Sequence, residues 1–111
     1  MKKKAQLKAL SVDEVLTAVS TIIARYLPAA RILLFGSRAR DDAEPTSDFD
    51  FAIDARSKIP LEVIARIEDE IDELYTLKSI DIIDMNRVNH AFKAIILKNG
   101  VNIYDRDKSA T

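Results

Sequence analysis

Apolar residues recur at helical spacing in three stretches of the chain. The first follows Ser11, which with Glu14 three residues later forms the sequence of a capping box, and it ends before Pro28. The second begins at Pro60, which suits a first helical turn, and the third is closed by Gly100. The three stripes are Val12, Val15, Leu16, Val19, Ile22, Ile23 and Tyr26; Ile64, Ile67, Ile71, Leu74 and Tyr75; and Val88, Phe92, Ile95 and Ile96.

Between these helices the pattern changes to that of strands. Residues 31–35 (RILLF) form a short apolar run, and residues 48–53 (DFDFAI) alternate acid with apolar, as in a strand with one wet and one buried face. Residues 79–84 (SIDIID) and 101–104 are two further candidates. The order α-β-β-α-β-α-β predicts an α+β or α/β domain with one small mixed sheet and helices packed against it.

Composition narrows the class of protein. A length of 111 residues fits one domain, for which we expect residues 11–104, with flexible tails at 1–10 and 105–111. The chain has no cysteine, which excludes disulfides and thiolate chemistry and suits a cytoplasmic location. A net charge of -1 gives no reason to expect a nucleic-acid partner, and apolar runs of a few residues cannot span a membrane.

A glycine and a serine directly follow the first predicted strand. Gly36 permits a sharp turn, and the backbone N–H groups of such a turn, together with the Ser37 hydroxyl, can converge on phosphate oxygens. Arg38 and Arg40 follow and can pair with the same anion. A Gly-Ser pair on its own is usually only a turn, so this feature needs support from elsewhere in the chain.

Two carboxylates project from the second predicted strand. Asp48 and Asp50 are two residues apart and therefore point to one face, while Phe49 points to the core. Carboxylates about 4 Å apart repel by roughly 4 kcal/mol at an effective dielectric near 20, so such a pair either raises a pKa or binds a cation. Oxygen ligands favour a hard ion such as Mg²⁺. The alternative is a strand edge kept soluble by acids.

A third acid lies on the strand at 79–84. Asp81 alternates with Ile80 and Ile82, which places it on a polar face, where it either joins the other two carboxylates or is an ordinary strand acid. Three carboxylates on one surface would make a two-metal site plausible. Asp84 has the opposite parity, so we expect it to point elsewhere and to cap the next helix.

The segment GSRARDDAEPTSDFD resembles the signature of the polymerase-beta-like nucleotidyltransferase superfamily, and within it the minimal nucleotidyltransferases. That signature is Gly-Ser, ten residues and Asp-x-Asp, and here residues 38–47 separate Ser37 from Asp48. The family carries a third acid on a later strand, which Asp81 matches. The resemblance covers about residues 11–104 and implies the palm-like fold of polymerase beta.

What the resemblance implies is Mg²⁺-dependent transfer of a nucleoside monophosphate, AMP from ATP, to a hydroxyl. One or two Mg²⁺ ions would be held by Asp48, Asp50 and Asp81, and Asp81 would also draw the proton from the acceptor. The β- and γ-phosphates would be held at Gly36 and Ser37, with phosphate contacts from Arg38 or Arg40. Relatives often have a glycine after the second arginine, whereas Asp41 and Asp42 stand here and add negative charge beside the triphosphate.

The resemblance also implies an acceptor. Small stand-alone members of the family are similar to antitoxins paired with a helical HEPN-domain RNase toxin, which they adenylylate on a tyrosine. We therefore expect a HEPN toxin as partner. Three alternatives stay open: an antitoxin that acts by contact alone, a small-molecule acceptor and an RNA acceptor. Both homo- and hetero-oligomers are compatible with the sequence, and His90 is assigned no role.

Overall fold

The computed structural model describes residues 9–36, 48–76 and 78–105. Over these residues the chain forms its elements in the predicted order. They are the helices α1 (Val12–Tyr26), α2 (Leu61–Asp72) and α3 (His90–Asn99), and the strands β1 (Arg31–Phe35), β2 (Phe49–Asp54), β3 (Ile80–Asp84) and β4 (Val101–Asp105). Most of the two predicted tails lies outside the described residues. None of the described helices has the length and apolar character needed to cross a membrane.

The helix ends follow local hydrogen bonding. The capping box at α1 is confirmed, because the Ser11 hydroxyl accepts from Glu14 N at 3.2 Å and the Glu14 carboxylate accepts from Ser11 N at 2.8 Å. Helix α3 begins after Asn89, whose side-chain oxygen accepts from Phe92 N at 2.8 Å, so Val88 precedes the helix instead of belonging to it.

The four strands form one mixed sheet in the order β3-β2-β1-β4. Strand β1 is antiparallel to both β2 and β4, whereas β2 and β3 are parallel. A parallel pair needs a crossover connection, and α2 supplies it between β2 and β3. Because of this crossover, residues near the beginnings of β2 and β3 lie side by side at one end of the sheet.

Helices cover both faces of the sheet. Helices α1 and α2 pack on the face formed by Phe49, Phe51 and Ile53, and this larger core also buries Ile23 and Ile67. On the opposite face, Ile96 of α3 packs in a smaller core with Leu33, Ala52 and Met85. Since side chains alternate along β2, Asp50 shares the face of Ala52, which is the α3 side of the sheet.

A polar contact joins α1 to α2. The Tyr26 hydroxyl donates to Glu70, and the Arg25 guanidinium donates to the same carboxylate at 2.6 Å. The hydrogen bond to Glu70 is the main cause that raises the pKa of Tyr26, and together with Arg25 it lowers the pKa of Glu70. Glu70 lies outside the apolar stripe of the second predicted helix, a position typical of solvated residues, but its carboxylate in fact contacts α1.

Asp84, at the end of β3, is buried with 6% of its surface exposed. Its carboxylate accepts from Ile59 N at 2.7 Å and from Asn86 N at 2.8 Å, and Arg87 Nε lies 3.3 Å away. Arg87 also donates to the Ile59 carbonyl at 2.9 Å. The expectation that Asp84 caps the next helix is wrong, because Asn89 caps α3 and Asp84 instead fastens the segment before α2 to the end of β3.

Candidate active site

The three acids predicted to form a site lie on neighbouring strands. Asp50 of β2 is paired with Asp81 of β3 in the parallel ladder, so the two residues are directly adjacent on one face. Asp48 stands just before β2 and, two residues from Asp50, belongs to the same face. Phe49 N donates to Ser79 O at 2.9 Å and fixes the beginnings of both strands together.

The electrostatics of Asp50 reflect this proximity. Its carboxyl is half-buried, and burial is the first cause that raises its pKa. The negative charges of Asp81 and then of Asp48 raise the pKa further. The other two carboxylates are thus close enough for their charges to oppose the ionisation of Asp50.

Gly36 completes this cluster from the other side. It follows β1, whose last residue, Phe35, is paired with Asp50 across the antiparallel ladder. Its φ of 77° is in the left-handed region that glycine adopts easily, and a Cβ at this position would lie 2.5 Å from Asp50 Oδ2. The turn therefore has to be glycine for the Asp50 carboxylate to stay where it is.

Aromatic side chains pack on both faces of the sheet next to the acids. Phe49 and Phe51, both buried, point to the face opposite the acids, and their rings are stacked with centroids 6.2 Å apart. On the acid side, Phe35 meets Phe92 of α3 edge to face at 6.0 Å. This packing fixes the backbone from which Gly36 and Asp50 project.

The donor set fits a hard cation. Three carboxylates without cysteine or histidine are the ligands that Mg²⁺ prefers, and a cation between them would relieve the repulsion at Asp50. Among the described residues, no three side chains of the ligand types His, Cys, Asp and Glu are already arranged to hold a metal ion. The fit therefore rests on donor chemistry and on charge.

The loop residues that were predicted to contact the phosphates, or that add negative charge beside them, lie outside the described residues. They are Ser37, Arg38, Arg40, Asp41 and Asp42.

A polar cavity of about 340 Å³ opens beside Asp81 at the outer edge of β3. Its wall includes Thr76, Lys78 and Ser79 from the segment that leads into the strand, and Asp72 and Leu74 from the end of α2 and the turn after it. The sequence pattern assigned these residues no functional role, because only the fold brings the end of α2 next to the segment that leads into β3.

A larger groove of about 720 Å³ runs between α1 and β4. Its wall combines small and apolar side chains of α1, such as Leu16 and Ala24, with Ile103 and Tyr104 of β4. None of its described lining residues belongs to the acid cluster, so its size does not make it the candidate reaction site.

Comparison with known proteins agrees with this geometry. Residues 18–109 match the family model described as polymerase beta, nucleotidyltransferase. A Haemophilus influenzae protein described as a probable protein adenylyltransferase, MntA, is 33% identical over 101 residues, which are 87% of this chain and 85% of that protein. Most of the chain, including all three acids and Gly36, thus lies within the family match.

Two solved structures share the fold. One, a toxin-antitoxin with AMP-PNP, matches with a TM-score of 0.63 at 16% identity over 85% of this chain and 76% of its own. The other, a tri-AMPylated HEPN toxin of Shewanella oneidensis in complex with MNT antitoxin, gives a TM-score of 0.58 at 15% identity over 86% and 74%. These matches confirm the predicted palm-like fold, a mixed sheet with helices packed against it.

Proposed function

The chain belongs to the polymerase beta nucleotidyltransferase family, and we propose that it transfers AMP from ATP to a tyrosine hydroxyl of a HEPN-domain toxin, whose antitoxin it is. The observation that carries the proposal is the pairing of Asp50 with Asp81, with Gly36 packed against the Asp50 carboxylate. The relative named as a protein adenylyltransferase supports the type of acceptor. The complex of MNT antitoxin with an AMPylated HEPN toxin supports the type of partner.

In this proposal the nucleotide lies across the end of the sheet. The turn at Gly36 and Ser37 holds the β- and γ-phosphates, and Arg38 or Arg40 contacts them. Asp48, Asp50 and Asp81 hold one or two Mg²⁺ ions. Bound Mg²⁺ neutralises charge on the triphosphate and on the departing pyrophosphate.

The chain itself orients the reactants and receives the proton. Asp81, which is exposed, accepts the proton of the tyrosine hydroxyl as the hydroxyl oxygen forms a bond to the α-phosphorus. The bond from that phosphorus to the bridging oxygen breaks, and pyrophosphate leaves with the electron pair. The products are an AMP-tyrosine diester and pyrophosphate, and most of the acceleration comes from positioning and charge neutralisation.

Label transfer to the partner tests the proposal. The protein is incubated with α-labelled ATP, Mg²⁺ and a HEPN-domain toxin, and transfer of label to the toxin is followed together with relief of its toxicity. We expect transfer that is lost in Asp48→Asn and Asp50→Asn. Toxin neutralisation that persists in both variants, with no label on the partner, would instead establish an antitoxin that acts by contact alone.

The two glycines of the chain give a matched pair of variants. Gly36→Ala is expected to slow AMP transfer about a hundredfold, because the new Cβ displaces the Asp50 carboxylate, while the left-handed backbone costs only about 1–2 kcal/mol of stability. At Gly100 a Cβ would lie 2.6 Å from the Ile96 carbonyl, so Gly100→Ala should lower stability and leave the activity per folded molecule unchanged. Urea unfolding and initial rates measure the two effects separately.

Equal losses of activity per folded molecule in both variants would contradict this assignment of Gly36. So would a Gly36→Ala protein that transfers AMP at the normal rate.

A further inference from the structure

The polar cavity beside β3 shares one residue, Asp81, with the proposed reaction site. Its other polar wall residues are Thr76, Lys78 and Ser79 on one side and Asp72 on the other. A volume of about 340 Å³ can take a side chain of tyrosine size together with part of its neighbours. The cavity is therefore large enough for a peptide acceptor.

The strand order places the cavity on the side of the reaction site opposite Gly36. Gly36 follows β1, Asp50 lies on the adjacent strand β2, and Asp81 lies on β3 beyond it. In an in-line displacement, the attacking oxygen approaches the phosphorus from the side opposite the leaving group. If the triphosphate tail lies toward Gly36, the acceptor must arrive from the side of Asp81, where the cavity opens.

The chemistry of the wall favours a peptide over a nucleobase as occupant. A base binds well against aromatic or other apolar surfaces on which it can stack. Here hydroxyl, ammonium and carboxylate groups dominate, and Leu74 and two isoleucines are the apolar contributors. These groups suit a peptide segment whose polar side chains and backbone can form hydrogen bonds with them.

Among the residues of this wall that the structure describes, Lys78 is the one cation. Its side chain is half-buried, and no carboxylate of residues 9–36, 48–76 or 78–105 forms an ion pair with it. A lysine in this position is an available partner for an anionic group that enters the cavity. The nearby carboxylates, Asp72 and Asp81, would repel the same anion, so the ammonium group decides whether it is tolerated.

We propose that this cavity receives the acceptor tyrosine and that Lys78 selects acceptors with a carboxylate side chain beside that tyrosine. The inference rests on the proposed function, since it assumes transfer to a tyrosine. The transfer itself is the reaction already described, in which the acceptor O–H bond breaks toward Asp81 and pyrophosphate leaves. Lys78 acts as a specificity-determining residue and takes no part in bond formation.

Short tyrosine peptides flanked by glutamate, glutamine or lysine test the proposal with ATP, Mg²⁺ and the full chain. For the wild type we expect a KM about three- to tenfold lower for the glutamate peptide than for the glutamine peptide, with a similar kcat. Lys78→Gln should abolish the difference, and Lys78→Glu should reverse the preference toward the lysine peptide. Lys58→Glu, the same change on an exposed loop, should leave it intact.

A binding measurement separates the possible failures. Titration of the glutamate peptide should shift the amide NMR signals of Thr76 and Lys78, whereas a non-hydrolysable ATP analogue should not. Equal KM values for all peptides, or shifts of these amides by the analogue alone, would overturn the inference and leave the proposed function standing. A wild type that labels neither the peptides nor its HEPN partner would overturn both.

Discussion

Asp50→Asn is expected to reduce AMP transfer about a thousandfold or more and to leave the fold intact. Asp50 is the central acid of the cluster, paired with Asp81 on one side and in contact with the Gly36 turn on the other. Its amide replacement has nearly the same shape but cannot hold a divalent cation with comparable strength, so the charge of the triphosphate is left uncompensated. Steady-state rates with labelled ATP measure the loss.

Asp50→Asn should increase the stability of the metal-free protein although it lowers the rate of AMP transfer. Burial and the neighbouring acids raise the pKa of Asp50 above its ordinary value of 3.8, so ionisation opposes folding in the metal-free protein. The folded wild type binds the proton more tightly than the unfolded chain, and its stability falls as the pH rises from 3.8 through the raised pKa. Asp50→Asn should therefore be the more stable protein at neutral pH, with the advantage vanishing below pH 3.8.

Thermal unfolding with and without Mg²⁺ and a non-hydrolysable ATP analogue completes this test. The wild type should gain stability from the combination, and Asp50→Asn should gain much less. A variant that keeps its transfer rate, or that is less stable than the wild type at neutral pH in the absence of metal, would show that Asp50 has a structural role.

Asp84→Ala is expected to destabilise the protein by about 3 kcal/mol, which corresponds to a fall in Tm of roughly 15 °C for a domain of this size. The substitution leaves the buried N–H of Ile59 without its acceptor and removes the partner of Arg87. It also releases the segment before α2 from the end of β3. Calorimetry or urea unfolding gives the value directly.

Asp81→Ala on the same strand is the matched control. Asp81 is exposed, so its loss should change stability by no more than about 0.5 kcal/mol while abolishing AMP transfer. Of the two aspartates of β3, Asp84 should thus affect mainly stability and Asp81 mainly AMP transfer. The assignment fails if Asp84→Ala unfolds like the wild type, or if Asp81→Ala is the less stable of the two.

Local patterns were sufficient to predict the order of the elements and the strand face on which each of the three acids lies, whereas their convergence was implied by the family resemblance. The spacing of Ser11 and Glu14 predicted the start of α1, and the alternation in residues 48–53 predicted that Asp48 and Asp50 share a face. The parity of Asp81 against its isoleucines placed it on a polar face. These properties depend on residues a few positions apart, for which helical and strand periodicity is a strong constraint.

Contacts between distant segments could not be predicted in the same way. Tyr26 and Glu70 are 44 residues apart, and only the packing of α1 on α2 brings them together. The burial of Asp84 depends on the backbone of Ile59, which belongs to a connection without periodicity. The cavity around Lys78 likewise depends on the end of α2 lying next to the edge strand β3, which a single sequence does not specify.

The proposed function depends most directly on the binding of a divalent cation, together with the nucleotide, by the three acids near Gly36. Paramagnetic Mn²⁺, added with a non-hydrolysable ATP analogue, tests this binding by broadening the amide NMR signals of nearby residues. We expect the signals of Phe35, Phe49 and Asp81 to broaden first and Asp50→Asn to remove the effect. Preferential broadening along the acidic outer face of α2, at Glu62 and Asp69, would contradict it.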